Sequence, residues 1–296
     1  YDVDGATSTA LLGNYFSELK IPYEIYIPDR KKEGYGPSIE AFKKLISKNI
    51  KIIFTVDCGT LSFEAIEYAN KNHVDVIVLD HHQSEINLPN AYSIINPNRL
   101  DDKSNLNYLC AAGVTFMFLI SLNKELRLNK WFDNNNINEP NLIQYLDLVS
   151  LGTVCDVVPL IGLNRAIVKQ GLKVFKSKNN LGLKTLSDLC KIETHPNIYH
   201  LGYVLGPRIN AGGRVGKSSH GANLLINSNP KEVFKIASEL DYFNKERKLL
   251  EEDALQKISK KVLEQLSDPV LVLSGENWHE GVIGIVASRI KDKFNK

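Results

Sequence analysis

The first hundred residues alternate between two hydrophobic periods. Apolar, β-branched-rich runs at residues 23–27, 50–56, 74–79 and 91–95 read as strands. Those at 50–56 and 74–79 are continuous enough for strands buried on both faces. Between them, residues 6–19, 38–47 and 61–72 carry helical spacing. Alternation of this kind predicts an α/β fold with a parallel sheet covered by helices. From 109 to 225 the pattern is mostly helical, with Asn134-Asn135-Asn136 as a loop tip. Asn229-Pro230 followed by Glu232 combines a side-chain cap, a first-turn proline and an acid at the positive helix end. Apolar residues then recur at Val233, Ile236, Ala237, Leu240, Leu250, Ala254, Ile258, Val262 and Leu266, so one helix runs until just before Pro269. At 1.5 Å per residue it would span roughly 50 Å, enough to link two domains. A strand at 270–273 and a helix at 281–293 then open a second, smaller α/β unit. The expected division is 1–228, a connecting helix at 229–268, and the start of a further domain at 269–296. Because the chain begins inside a motif and stops partway through a helix, it reads as a piece clipped at both ends.

Composition narrows the picture without deciding it. The chain has 296 residues and a formal net charge of +2, which neither demands nor excludes a nucleic-acid partner; any such surface has to be a local groove. The four cysteines are scattered with no CxxC pair, arguing against a disulfide framework or a zinc ribbon and for a reducing, cytoplasmic setting. No apolar run approaches the ~18–20 residues that span a bilayer, and no secretory signal opens the chain, so no membrane partner is expected.

The candidate chemistry lies at strand ends. Thr55-Val56-Asp57-Cys58-Gly59 and Asp80-His81-His82 each follow a buried-strand pattern, and Asp2-Val3-Asp4-Gly5 opens the chain. Ligand-binding groups of open α/β sheets project from the carboxyl ends of strands, so these acids and imidazoles converge on one crevice. In an extended segment Asp2 and Asp4 share a face. Any one acid is accounted for by a turn or a cap; adjacent imidazoles beside an aspartate are seldom needed for packing. Carboxylates that crowded repel unless cations lie between them, which points to a dinuclear metal site and a hydrolase. Gly152-Thr153-Val154-Cys155-Asp156 adds an acid in an apolar stretch, either a helix cap or a further ligand. The oxygen-rich set favours manganese or magnesium over zinc.

Residues 206–218, from Gly206-Pro207-Arg208 to Gly212-Gly213-Arg214 and Ser218, read as a Gly-rich loop leading into a helix. Its backbone N–H groups and arginines suit a phosphate. It approaches a Walker A loop with Ala211 for the first glycine, but a P-loop follows the first strand of its domain, and Pro207 breaks the run that would be that strand. Arg30 to Gly36 is a basic loop with one aromatic, Tyr35, suited to a phosphate contact and a stacked base, or to a solvated turn. His279 lies where glycines at a helix start permit close approach of a phosphate.

Together these strings resemble the DHH phosphoesterase superfamily and, within it, the RecJ family of single-stranded-DNA-specific exonucleases. The resemblance rests on DVDGATS, EGYG, TVDCGT, DHH, GTVCDVVPL, GPRINAGGRVG and WHEGVIGIVASR, spread over nearly the whole chain. It implies a DHH domain with a helical part, a connecting helix and a DHHA1-type second domain. It further implies two divalent cations, usually manganese. Asp2 and Asp57 would hold one; Asp4, Asp57, His81 and Asp156 the other, with His82 facing the scissile phosphate. Arg30, Arg208 and Arg214 are expected on phosphates, Tyr35 under a base, and Asn210 and His279 at the nucleic acid. Departures are Ala211-Gly212-Gly213 for the usual Ala-Ala-Gly and Cys155 for the usual Ala. The activity so implied is two-metal, 5′→3′ hydrolysis of single-stranded DNA to 5′-mononucleotides in repair and recombination, where other replication or repair proteins would be partners. The alternatives are a DHH phosphodiesterase for short oligonucleotides or cyclic dinucleotides, and a non-catalytic DNA-binding relative. Asp4→Ala is expected to abolish cleavage and leave the fold intact.

Overall fold

The computed structural model describes residues 1–192, 196–276 and 278–295. Lys296, where the last helix is expected still to run, lies outside the described residues, as do residues 193–195 of the helical stretch. The chain order is α1 (Val3–Glu18), α2 (Ile39–Ile46), β1 (Ile52–Val56), α3 (Phe63–Lys71), β2 (Asp75–Leu79), β3 (Ser93–Ile95), α4 (Ala111–Leu128), α5 (Trp131–Asn135), α6 (Leu146–Cys155), α7 (Gly162–Lys176), α8 (Leu181–Leu189), α9 (Gly206–Val215), α10 (His220–Ile226), α11 (Pro230–Glu264) and α12 (Glu280–Phe294).

The sheet is parallel, in the order β1-β2-β3, with Val56 beside Leu79 and Leu79 beside Ile95. That register puts the carboxyl ends of all three strands level, so Asp57, Asp80 and Asn96 emerge along one edge. One face of the sheet packs on α2 and α3 through Ala41, Phe42, Ile66 and Ala69. The other joins the main core, in which α1 is surrounded by residues of α4, α6, α9 and α10. A separate small cluster joins Ala254, Ile258 and Val262 of α11 to Val286 and Ile290 of α12.

Five local expectations are corrected. Residues 23–27 form no strand; Pro22 and Pro28 bracket them and remove ladder donors at both ends. Residues 270–273 form no strand either, because the side-chain amide of Gln265 takes both backbone groups of Val272, at 3.0 and 3.1 Å, in place of a neighbouring strand. Helix α1 begins at Val3, so Asp2 caps it and Asp4 is in its first turn rather than in an extended segment. Residues 131–135 are helical and the turn comes at Asn136, whose positive φ suits asparagine. Finally, the Gly-rich segment is itself helix α9 over Gly206–Val215. Its glycines serve close packing: a Cβ at Gly206 would strike Cys155 Sγ, and one at Gly213 would lie 2.8 Å from the Tyr1 carbonyl oxygen.

Candidate metal centre

Three elements deliver the acids. Asp2 caps α1, its carboxylate accepting from Gly5 N at 3.0 Å. Asp4, one turn in, is buried and accepts from Ala111 N at 2.6 Å and Ala112 N at 2.9 Å. The unpaired first N–H groups of α4 thus grip it as they would any anion. Asp57 follows β1 in the left-handed region, φ 59°, a conformation that aspartate tolerates better than most residues. Its N–H is fixed by Leu79 O at 3.0 Å and its carbonyl by the Tyr35 hydroxyl at 2.8 Å. Gly59, φ +114°, lets the chain turn away at once, since a Cβ there would strike Thr55. Asp156 closes α6 as its C-cap.

His81 stands at the centre of these acids. Its Nε2 lies 3.3 Å from Asp57 Oδ1 and 3.7 Å from Asp4 Oδ2, and its Nδ1 3.7 Å from Asp156 Oδ2. The groups that come within ligand range of one another are Asp4, His81 and Asp156, and Asp57, His81 and His82. Asp2 belongs to neither trio, but it lies close enough to Asp57 to raise that carboxyl.

Asp80 has a different task. Its Oδ2 accepts from Thr60 N (3.1 Å) and Oγ1 (2.6 Å), and its Oδ1 from His81 N (2.8 Å) and His82 Nδ1 (2.7 Å). Burial alone would raise its pKa, yet the bonds from His82 and Thr60 hold it well below the usual carboxylate range. In return, the bond to Asp80 raises His82, whose side chain is half-exposed. Asn96 ties Thr60 Oγ1 to the His82 carbonyl at 2.9 and 2.8 Å, and the Asn98 side chain donates to the His81 carbonyl. Nothing in the motifs singles out these supporting residues. The available signal is that Asn96 and Asn98 follow the apolar run at 91–95.

The donor set fits divalent cations. Burial and then the charges of Asp4 and Asp2 push Asp57 up to about 10; burial and then Asp4 push Asp156 up to about 6. Among the described residues no lysine or arginine pairs with Asp4, Asp57 or Asp156. Such a cluster retains protons or takes up cations. Because these folded-state values lie above the ordinary carboxylate value, the folded protein binds more protons than the unfolded chain from about pH 4 upward, and stability falls as pH rises through about 6 and on to about 10. The raised pKa of His82 works in the same direction above neutrality, whereas depressed Asp80 costs stability only in acid. In the metal-free protein the melting temperature is therefore expected to fall between about pH 5 and 9, and excess Mn²⁺ to restore it most at the alkaline end. Scanning calorimetry across that range checks this, and a metal effect independent of pH would count against the cluster as the binding site.

The remaining predicted residues flank this centre. Tyr35 stands against His82; its hydroxyl is 3.2 Å from Nε2 and 3.4 Å from Nδ1, nearly equidistant and so over the ring rather than in line with either nitrogen. The Arg30 guanidinium lies 5.4 Å from the Tyr1 ring centroid. Arg214 is lowered by burial and then by Arg30 and Arg247, and reaches Gly281 O at 3.3 Å. His279 caps α12 through Gly281 N at 3.1 Å and meets Lys31 Nζ at 3.0 Å. Asn210 accepts from Val3 N at 3.1 Å, which fixes α9 beside the start of α1. Arg208 is already engaged, with Nε on Asp241 at 2.9 Å and Nη1 on Val204 O at 2.7 Å. Its acidic partner on α11 gives no signal in the sequence.

Comparison with known proteins places the chain in a family. Residues 1–153 match the N-terminal domain of the DHH family, just over half of the chain. The chain belongs to the DHH family. It is 40% identical to the single-stranded-DNA-specific exonuclease RecJ of Salmonella typhimurium over 304 aligned residues, which covers all of this chain and 53% of that relative. The chain thus spans about half the length of the curated RecJ proteins it matches in the enterobacteria. Among solved structures, a crystal structure of exonuclease RecJ bound to manganese superposes with a TM-score of 0.85 at 32% identity, covering 100% of this chain and 72% of the other. RecJ of Thermus thermophilus in complex with Mn²⁺ gives 0.81 at 31% identity, covering 99% and 41%. The mixed α/β architecture with a parallel sheet is that of these DHH relatives.

Proposed function

We propose that this chain carries the hydrolytic centre of a metal-dependent exonuclease that removes 5′-mononucleotides from the 5′ end of single-stranded DNA. The observation that carries the reading is His81 set among Asp4, Asp57 and Asp156 at 3.3–3.7 Å. Similarity to RecJ proteins along the whole of this chain supports the substrate class. Asp4, Asp57, His81 and Asp156, with Asp2 beside Asp57, would hold two divalent cations, Mn²⁺ or Mg²⁺. Cations bound there would lower the pKa of an attacking water and would offset the charge that builds on the phosphate.

The chain's own residues do the rest. Asp80 fixes the His82 ring through Nδ1 and favours its protonated form, so Nε2–H can donate to a phosphate oxygen as charge accumulates on it. Arg30 and Arg214 supply fixed positive charge on the side of the site where α12 begins. Arg208, oriented by Asp241, presents its outer nitrogen as a third donor. The division into a catalytic unit over 1–228, a connecting helix over 229–268 and the start of a DHHA1-type unit at 269–296 belongs to the same reading. It would place the strand between the unit of α1 and that of α12. A cytoplasmic location accords with such a substrate, and among the described residues no helix is long and apolar enough to cross a membrane.

The deciding experiment follows Mn²⁺-dependent release of mononucleotides from 5′-labelled and 3′-labelled single strands, with duplex and cyclic dinucleotides as controls. Early release of the 5′ label from single strands is expected. Preferential hydrolysis of the cyclic or very short substrates would replace the exonuclease reading with that of a small-substrate phosphodiesterase.

A further inference from the structure

The turn His200–Leu205 is wound as a π-helix, a form that is rare and frequent at functional sites. At its edge two tyrosines face solvent, Tyr199 59% and Tyr203 75% exposed. Four residues apart, they share a face, and their rings are stacked with centroids 5.4 Å apart at 21°. Such exposure of large planar side chains is not explained by packing, and the pair lies outside every group assigned above.

Its position is informative. Cys155 Sγ lies 3.4 Å from Leu201 O, and Gly202, having no side chain, lets the turn settle on Val154. The tyrosine-bearing turn is therefore built onto the end of α6 that presents Asp156. Arg208 joins the same turn through Val204 O at 2.7 Å. Val157, directly after Asp156, is 85% exposed with positive φ, so the chain beside that acid offers a further apolar side chain to solvent.

We propose that Tyr199 and Tyr203 form a base-stacking platform for single-stranded DNA at the edge of the catalytic crevice. The inference rests on the nuclease reading for its ligand. Ring faces suit the bases of a single strand, because every base offers a π-face whatever its identity. A platform of this kind holds a strand without reading it, which suits successive removal of nucleotides from any sequence. A duplex, with its bases stacked internally, has no face to offer.

The test uses the full chain in EDTA, so that binding is read without cleavage. Single strands with a 5′-phosphate and 2-aminopurine at successive positions are titrated with wild type, the Tyr199→Ala/Tyr203→Ala pair and the Tyr199→Phe/Tyr203→Phe pair. Quenching at one or two positions is expected with wild type and the Phe pair. It should be lost in the Ala pair, together with about a tenfold weaker affinity. With Mn²⁺ restored, the Ala pair should hydrolyse a dinucleotide at the wild-type rate and show raised KM only on long strands. Equal affinity and quenching in wild type and the Ala pair would overturn the platform and leave the tyrosines as a contact for another protein. Wild type that binds and quenches but releases no nucleotide would sink the nuclease reading while leaving the platform in place.

Discussion

Asp57→Asn is expected to lower Mn²⁺-dependent nucleotide release by about 10³-fold, and to leave the metal-free protein as stable as wild type or more so at about pH 8. The rate loss follows from position. Asp57 is the carboxylate nearest His81, at 3.3 Å, and belongs to the trio that includes His82. Replacing an essential charged group in a preorganised site removes roughly 10²–10³-fold or more. The stability follows from the same crowding. Burial and the charges of Asp4 and Asp2 push this carboxyl up to about 10, so above neutrality its ionisation works against the fold. An amide of equal size removes that cost, and asparagine accepts the left-handed backbone that the position requires. Activity in the labelled-strand assay and calorimetry in EDTA give the two readouts. Wild-type turnover in a folded Asp57→Asn protein would remove Asp57 from the metal assignment.

Asp4 is the less clean probe, although the two acids look equivalent in the sequence. Both oxygens of Asp4 accept backbone N–H groups at the start of α4, so Asp4→Ala strands two buried donors. Each such loss costs about 1–3 kcal/mol. The expectation that this substitution spares the fold is therefore revised, and loss of activity there would mix chemistry with unfolding.

The contrast illustrates what the sequence can carry. Strand-end acids and the Asp80-His81-His82 string are legible because a parallel sheet puts its carboxyl ends on one edge, whatever the details of the helices. The pattern does not distinguish Asp80 from Asp57, since both follow buried strands. Only the hydrogen bonds from Thr60 and His82 reveal that Asp80 orients an imidazole while Asp57 faces the cleft. The segment 206–218 misleads for a related reason. Glycines signal freedom when a chain is read residue by residue, yet Gly206 and Gly213 lie in a helix, where they permit contact with Cys155 and Tyr1. Prolines at 22 and 28 are visible, but residues 23–27 still carry strand-forming side chains. What such a segment becomes depends on whether a neighbouring strand offers it a ladder.

Gly171→Ala tests how tightly the helix carrying Asp156 is held, and is expected to cost about 3 kcal/mol. A glycine-to-alanine change within an exposed helix normally gains up to ~1 kcal/mol by reducing the freedom of the unfolded chain. At Gly171 the new methyl would overlap the Leu146 carbonyl and Ser150 Oγ, both on or beside the first turns of α6. A backbone carbonyl cannot swing aside as a side chain does, so α6 and α7 must separate. Overpacking of this kind costs typically about 1–3 kcal/mol or more and outweighs the helix gain. Ser150 also loses ground, because its hydroxyl spans Leu146 O at 2.6 Å and Ile167 O at 3.2 Å across this interface. Gly284→Ala in α12 is the matched control, since nothing lies within 4 Å of its Cβ position. The first variant should melt about 5 °C below wild type and the second at or slightly above it. Mn²⁺ should narrow the gap for Gly171→Ala, because ligands gathered from α1, β1 and α6 hold α6 in place when a cation binds them. If Gly171→Ala melted with wild type, α6 and α7 would have to be free to shift without cost, and Asp156 would then be too loosely held to complete the site.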